Sequence, residues 1–101
     1  MALISAGSEY GASATVRNNQ FLFDPWLWYA DSIVAVSGPG TWVVQNNVMD
    51  GGVQTFKAFG TLPSTIQASQ NQYRPYNGGP FFVAADPSIQ TLVDSGSTLV
   101  S

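Results

Sequence analysis

Apolar positions along this chain come in short bursts, cut every few residues by glycine, proline or amide side chains. That spacing predicts short strands joined by turns. Ala12 to Val16 and Phe21-Leu22-Phe23 read as extended, with Arg17-Asn18-Asn19 as the turn between them. Ser37-Gly38-Pro39-Gly40 is a break. Thr41-Trp42-Val43-Val44-Gln45, rich in β-branched and aromatic residues, is the clearest strand. Thr65 to Ala68 extends again, Ser69 to Pro80 reads as a long polar loop, and Phe81 to Ala84 as a buried strand.

Asp50-Gly51 is the sharpest local signal, because Asp-Gly supplies the positive φ values of a hairpin turn. A hairpin there puts Val48 opposite Val53, Asn46 opposite Thr55, Val44 opposite Lys57 and Trp42 opposite Phe59. Neither face is then cleanly apolar. Such a pair suits protein on both sides, and a bulge near Asn46-Asn47 produces the same pattern.

Two stretches carry helical signals. Asp86-Pro87 resembles an N-cap with proline at the first helical position, and Ile89, Leu92 and Val93 follow at helical spacing up to Gly96. Asp24-Pro25 opens a similar stretch ending at Gly38, but Ile33-Val34-Ala35-Val36 competes as a strand, so 25–36 stays open between helix and strand. The two Asp-Pro stretches share a faint internal likeness. The expected architecture is mainly β: a small antiparallel sandwich or barrel-like domain that admits one short helix near 87–95. It is expected to be a single domain over 1–101, with an N-terminal arm at 1–9 and a C-terminal tail at 96–101.

Composition sharpens this picture. A chain of 101 residues is one domain by size, and small domains usually need a staple or a partner. There is no cysteine and no histidine, which removes thiolate and imidazole metal sites and the Ser-His-Asp and Cys-His nucleophile arrangements. Charged residues are 9% of the chain, against roughly a quarter in typical soluble domains. A surface of hydroxyls and amides loses little when buried against another protein, so low charge favours assembly.

The net charge is −3, and Arg17, Lys57 and Arg74 are the only bases. Phosphate recognition needs several such groups, so no nucleic-acid partner is expected. The stretch from Phe21 to Val36, interrupted by Asp24, Pro25 and Asp31, is too short and polar for a membrane span. Met1-Ala2-Leu3-Ile4 lacks the pattern of a secretory signal. The acids Glu9, Asp24, Asp31, Asp50, Asp86 and Asp94 are widely spaced and match no calcium loop. No metal site and no cofactor is expected.

The segment Leu92-Val93-Asp94-Ser95-Gly96-Ser97-Thr98-Leu99-Val100 resembles the catalytic loop of aspartic proteases. The resemblance covers about nine residues and implies catalysis on Asp94 with Ser95 and Ser97 as supports; in that family two such aspartates share a proton. This chain carries one copy. The competing reading is a terminal strand or helix end, since Asp-Ser-Gly is common in turns.

Two binding surfaces stand out. Phe21, Phe23, Trp26, Trp28 and Tyr29 are more large aromatics than one small core requires, and tryptophans at i and i+2 point to opposite faces of a strand. They are the expected self-association interface. Gln72, Tyr73, Arg74, Tyr76 and Asn77 combine aromatic faces with neutral amides and suit a glycan, or a protein partner. The expected function is therefore a non-enzymatic, self-associating structural subunit. A virion shell or decoration protein or an extracellular filament subunit would fit, located in a virion or outside the cell, with a cytosolic location still open. The alternative is a small carbohydrate-binding lectin, and a more remote one is an aspartic-protease-like fragment.

Overall fold

The computed structural model describes residues 2–7, 12–21 and 31–100; the side chains of residues 2–7, 12–14 and 21 are not described. The described chain is mainly strand, and every strand pairing within it is parallel. It winds as a β-solenoid. The first coil contributes β1 (Ala2–Gly7), β2 (Ala12–Arg17) and β3 (Gln20–Phe21). The second contributes β4 (Ser32–Ser37), β5 (Gly40–Gln45) and β6 (Val48–Asp50). The third contributes β7 (Gln54–Phe59), β8 (Ser64–Ser69) and β9 (Gln72–Arg74), and the fourth β10 (Phe82–Ala84), β11 (Gln90–Ser95) and β12 (Thr98–Leu99). Like strands stack into three sheets, ordered β1-β4-β7-β10, β2-β5-β8-β11 and β3-β6-β9-β12.

This overturns the antiparallel sandwich or barrel. The hairpin expected at Asp50-Gly51 does not form. Gly51 (φ 116°) and Gly52 (φ 79°) do adopt positive φ, but they make a corner that passes the chain from the third sheet to the first. The corner is held by the next coil: Gly51 N–H donates to the Arg74 carbonyl at 2.8 Å, and Tyr76 N–H to the Gly52 carbonyl at 2.6 Å. Consequently Val44 aligns with Ala68 rather than Lys57, and Trp42 with Ile66 rather than Phe59. Positive φ falls on Gly51 and Gly52 rather than on Asp50 and Gly51, and a short-range signal cannot encode whether the next strand folds back or moves on.

The helix near 87–95 is also overturned. Asp86 accepts from Ser88 N–H at 3.1 Å and Ser88 Oγ at 2.5 Å, and Ile89 and Gln90 N–H close one turn on its carbonyl. The chain then extends as β11, with Gln90 to Ser95 aligned on Ser64 to Ser69. A row of waiting strand partners outweighs a weak local helix signal. Within 25–36, Ser32–Ser37 is strand; residues 25–30 lie outside the described residues. The polar loop at 69–80 contains β9 and a 3-10 turn at Tyr76–Gly78. Thr98–Leu99 of the expected tail pair with Gln72–Tyr73, and Ala2–Gly7 of the expected arm pair with β4.

The core fills the centre of the coils. Val34, Val36, Trp42, Val44, Met49, Phe56, Ala58, Ile66 and Ala68 are buried there, with Ile33 joining them. Phe81 meets Phe56 edge-on at 5.1 Å between ring centroids and Tyr73 at 4.1 Å with a 39° tilt. Ala35 and Thr55, on the opposite side of β4 and β7 from Val34 and Phe56, are buried as well. Parallel sheets covered on both faces carry near-continuous apolar runs, and Ile33 to Val36 is one.

Candidate functional surface

The corner between the second and third sheets is built the same way in every coil. Its first residue has positive φ: Asn18 at 58°, Asn46 at 56°, Gln70 at 52° and Gly96 at 78°. Asparagine and glycine tolerate this region best. The next residue is Asn19, Asn47, Asn71 or Ser97, and these stack. Asn47 Oδ1 accepts from Asn19 N–H at 3.0 Å and Nδ2 at 3.3 Å; Asn71 Oδ1 accepts from Asn47 N–H and Nδ2, both at 3.0 Å. The second amide protons of Asn47 and Asn71 go to the Val16 carbonyl at 3.1 Å and the Val44 carbonyl at 3.0 Å. Every hydrogen-bonding position of these two buried side chains is used.

Asp94 finds its explanation at the end of this ladder. Ser97 Oγ accepts from Asn71 N–H at 3.2 Å and Nδ2 at 3.4 Å and donates its single proton to Asp94 Oδ1 at 2.5 Å. Asp94 lies exposed in β11. The motif that resembles a protease loop thus ends a structural hydrogen-bond chain.

Of the expected aromatic interface, Phe21 belongs to β3 but its side chain is not described, and Phe23, Trp26, Trp28 and Tyr29 lie outside the described residues. The expected glycan residues divide. Gln72, Tyr73 and Arg74, with Val48, Met49, Asp50 and Val100, line a depression of about 170 Å³ on the third sheet; Tyr76 and Asn77 lie in the 3-10 turn and do not line it. Arg74 forks onto Asp50, with Nε at 2.8 Å from Oδ1 and Nη2 at 2.7 Å from Oδ2. That pairing raises the guanidinium further above its ordinary range. Tyr73 presents one ring face to Phe81. The depression is smaller than ordinary small-molecule pockets of roughly 300 Å³ and up.

Lys57 Nζ sits 3.0 Å from Asp31 Oδ2, and this hydrogen bond holds the Asp31 carboxyl below its usual range. No group of three or more acids, histidines or cysteines is placed to hold a metal among the described residues. No helix among them is long and apolar enough to cross a membrane.

A third surface escaped the sequence reading. On the outer face of the second sheet, Thr41, Thr65 and Thr91 align across three coils, with Ser13 at the same register position in the first. Beside them run Thr15, Val43, Gln67 and Val93. The signal was present as Thr-x-Val, Thr-x-Gln and Thr-x-Val at 41–43, 65–67 and 91–93, but it means nothing until the strands are known to stack in parallel. These features define the protein as a parallel β-solenoid with an internal amide ladder. No family model, curated protein or solved structure matches the chain.

Proposed function

We propose that this protein is a non-enzymatic structural subunit that associates with copies of itself, of the kind that builds virion shells or extracellular filaments. The observation that carries this reading is the exposure of large apolar side chains on a scaffold almost free of charge. Val93 and Leu99 are 60% and 61% exposed, and Val53, Phe59, Leu62 and Val100 are also exposed. Apolar side chains left in water are released from it when a second chain covers them.

The polar chemistry is spent on holding the coils together: the amide ladder, the Asp50–Arg74 fork and the Ser97–Asp94 bond all join residues of the scaffold itself. A stack of coils is stiff and contacts only its neighbours, which suits a building element. The lectin reading has less support, since Tyr73 and Arg74 are already engaged and Tyr76 and Asn77 stand apart from the depression.

The test is the mass of the purified chain by light scattering across a dilution series. A species larger than the 10.8 kDa chain that persists on dilution is expected. A monomer at every concentration overturns the reading.

A further inference from the structure

The six asparagines of the chain divide into five whose amides are held and one that is free to react. Asn18, Asn19, Asn46, Asn47 and Asn71 bond through their side chains to neighbouring coils. The backbone nitrogen that follows four of them is committed as well. Asn19 N–H donates to Asn47 Oδ1, Asn47 N–H to Asn71 Oδ1, Val48 N–H to the Asn19 carbonyl and Gln72 N–H to the Asn47 carbonyl. Asn77 differs on each count. It lies exposed in the 3-10 turn, Gly78 follows it, and its side chain has no hydrogen-bond partner among the described residues. Gly78 N–H likewise has no acceptor among them.

We propose that Asn77 is a site of spontaneous covalent modification, cyclising with Gly78 to a succinimide that opens to an aspartyl or an isoaspartyl residue. The Gly78 nitrogen attacks Asn77 Cγ and forms the N–Cγ bond. The Cγ–Nδ2 bond breaks, and Nδ2 leaves as ammonia with the proton that the Gly78 nitrogen gives up. Water then adds to either ring carbonyl and cleaves that carbonyl's bond to the Gly78 nitrogen. Each event exchanges a neutral amide for a carboxylate and consumes only water.

Geometry decides how readily the ring closes. Asn77 sits at φ 53° and ψ 32°, which turns the Gly78 nitrogen away from the side chain, so the peptide between them must rotate. Little opposes that rotation. The turn is closed by Gly79 N–H on the Tyr76 carbonyl at 3.1 Å, and a Cβ on Gly78 would meet nothing within 4 Å. Asn77 also gains by leaving the left-handed region, which residues other than glycine occupy at a cost. Glycine carries no side chain to crowd the attacking nitrogen. At Asn47 and Asn71 the same rotation breaks buried hydrogen bonds of the ladder, each of which slows the reaction by roughly two- to tenfold. The isoaspartyl product lengthens the main chain just before Gly79, which is pressed against the Val53 carbonyl on the way into the fourth coil. The site thus sets a chemical lifetime on that corner.

The experiment incubates the folded wild-type chain in mildly alkaline buffer and follows it by anion-exchange chromatography and peptide mass spectrometry. A more acidic species is expected to accumulate, with the mass gain of an amide-to-acid exchange at Asn77 in two chromatographically distinct forms. Loss of the amide at Asn77 should be at least about tenfold faster than at Asn19, Asn47 or Asn71. Urea, which dissolves the ladder, should narrow the gap between Asn71 and Asn77. Asn77→Gly keeps the positive φ without strain and should yield no acidic species, with circular dichroism reporting its fold. An amide retained at Asn77, loss no faster there than at Asn71 in the folded chain, a gap that urea leaves unchanged, or an acidic species that persists in folded Asn77→Gly overturns the proposal. None of these readouts depends on the mass of the particle, so self-association and this modification are tested separately.

Discussion

Asn47 donates both its backbone N–H and its side-chain Nδ2 to one atom, Asn71 Oδ1, each at 3.0 Å, in the closed interior of the solenoid. Two coils are thereby joined at a point where the chain turns a corner and regular strand pairing is interrupted. A buried donor left without a partner costs about 1–3 kcal/mol. The ladder therefore makes the corner specific as well as closed.

Replacing Asn71 with alanine leaves two Asn47 donors without partners and takes one donor from the Val44 carbonyl. The expected loss is about 3 kcal/mol or more, which for a domain of this size lowers Tm by roughly 10–20 °C. Asn71→Asp keeps the shape but loses both amide donors and turns an oxygen toward the Val44 carbonyl, so it is expected to be as damaging. Asn19→Ala, at the exposed start of the ladder, should cost about 1 kcal/mol or less. Thermal melts of the three variants check the order. Equal effects at Asn19 and Asn71 would mean that the ladder contributes no more inside than at its end.

The ladder also explains what could be read in advance. The turn at Arg17-Asn18-Asn19, the break at Ser37-Gly38-Pro39-Gly40 and the strands at 41–45 and 65–68 are legible because φ preference and β-branching act locally. Parallel stacking is not local. Its trace is the recurrence Asn18-Asn19, Asn46-Asn47, Gln70-Asn71 and Gly96-Ser97, but the intervals of 28, 24 and 26 residues drift with corner length. The last copy has also changed both residue types. An irregular period carried by two polar residues is hidden behind the louder Asp50-Gly51 and Asp86-Pro87 signals. The threonine row is invisible for the same reason: Thr41, Thr65 and Thr91 become neighbours only once the coils are in register. The Tyr73 and Arg74 segment was visible as chemistry, but its ties to Phe81 and Asp50 depend on contacts between coils.

The Asp31–Lys57 pair makes acid stability modestly dependent on one contact. The hydrogen bond from Lys57 lowers the folded-state pKa of Asp31 below its unfolded value, so the unfolded chain binds more protons in acid. The contribution is present above the unfolded pKa near ~3.9 and disappears as pH falls through the folded value. Both side chains are more than a third exposed on average, at 34% and 40%, so solvent screening limits the pair to less than about 1 kcal/mol. Urea unfolding of wild type and Asp31→Asn at about pH 6 and about pH 2 checks the sign. The wild type should lose slightly more stability on acidification than the variant, and about 1 M salt should shrink the difference. A variant that loses more than the wild type contradicts the assignment.

Asp94 occupies a row that is otherwise apolar. It aligns with Ala68, Ala68 with Val44, and Val44 with Val16, so the fourth coil places a carboxylate where the other three place core side chains. Only strand β8 pairs with β11, whose other edge is unpaired among the described residues. Such an edge is a template for another chain, and inward-pointing charges are one way proteins blunt it. A second solenoid stacked on this coil would bury the Asp94 carboxylate, a strongly unfavourable step without a compensating partner. Asp94→Val removes that barrier and continues the apolar row. Because the site is exposed, the folded subunit itself should change in stability by only about 0.5 kcal/mol. End-on growth should increase: longer rods by electron microscopy and a higher scattering mass than wild type at equal concentration, with Asp94→Asn falling between the two. If Asp94→Val particles match the wild type in length and mass, the carboxylate is not what limits stacking at this edge.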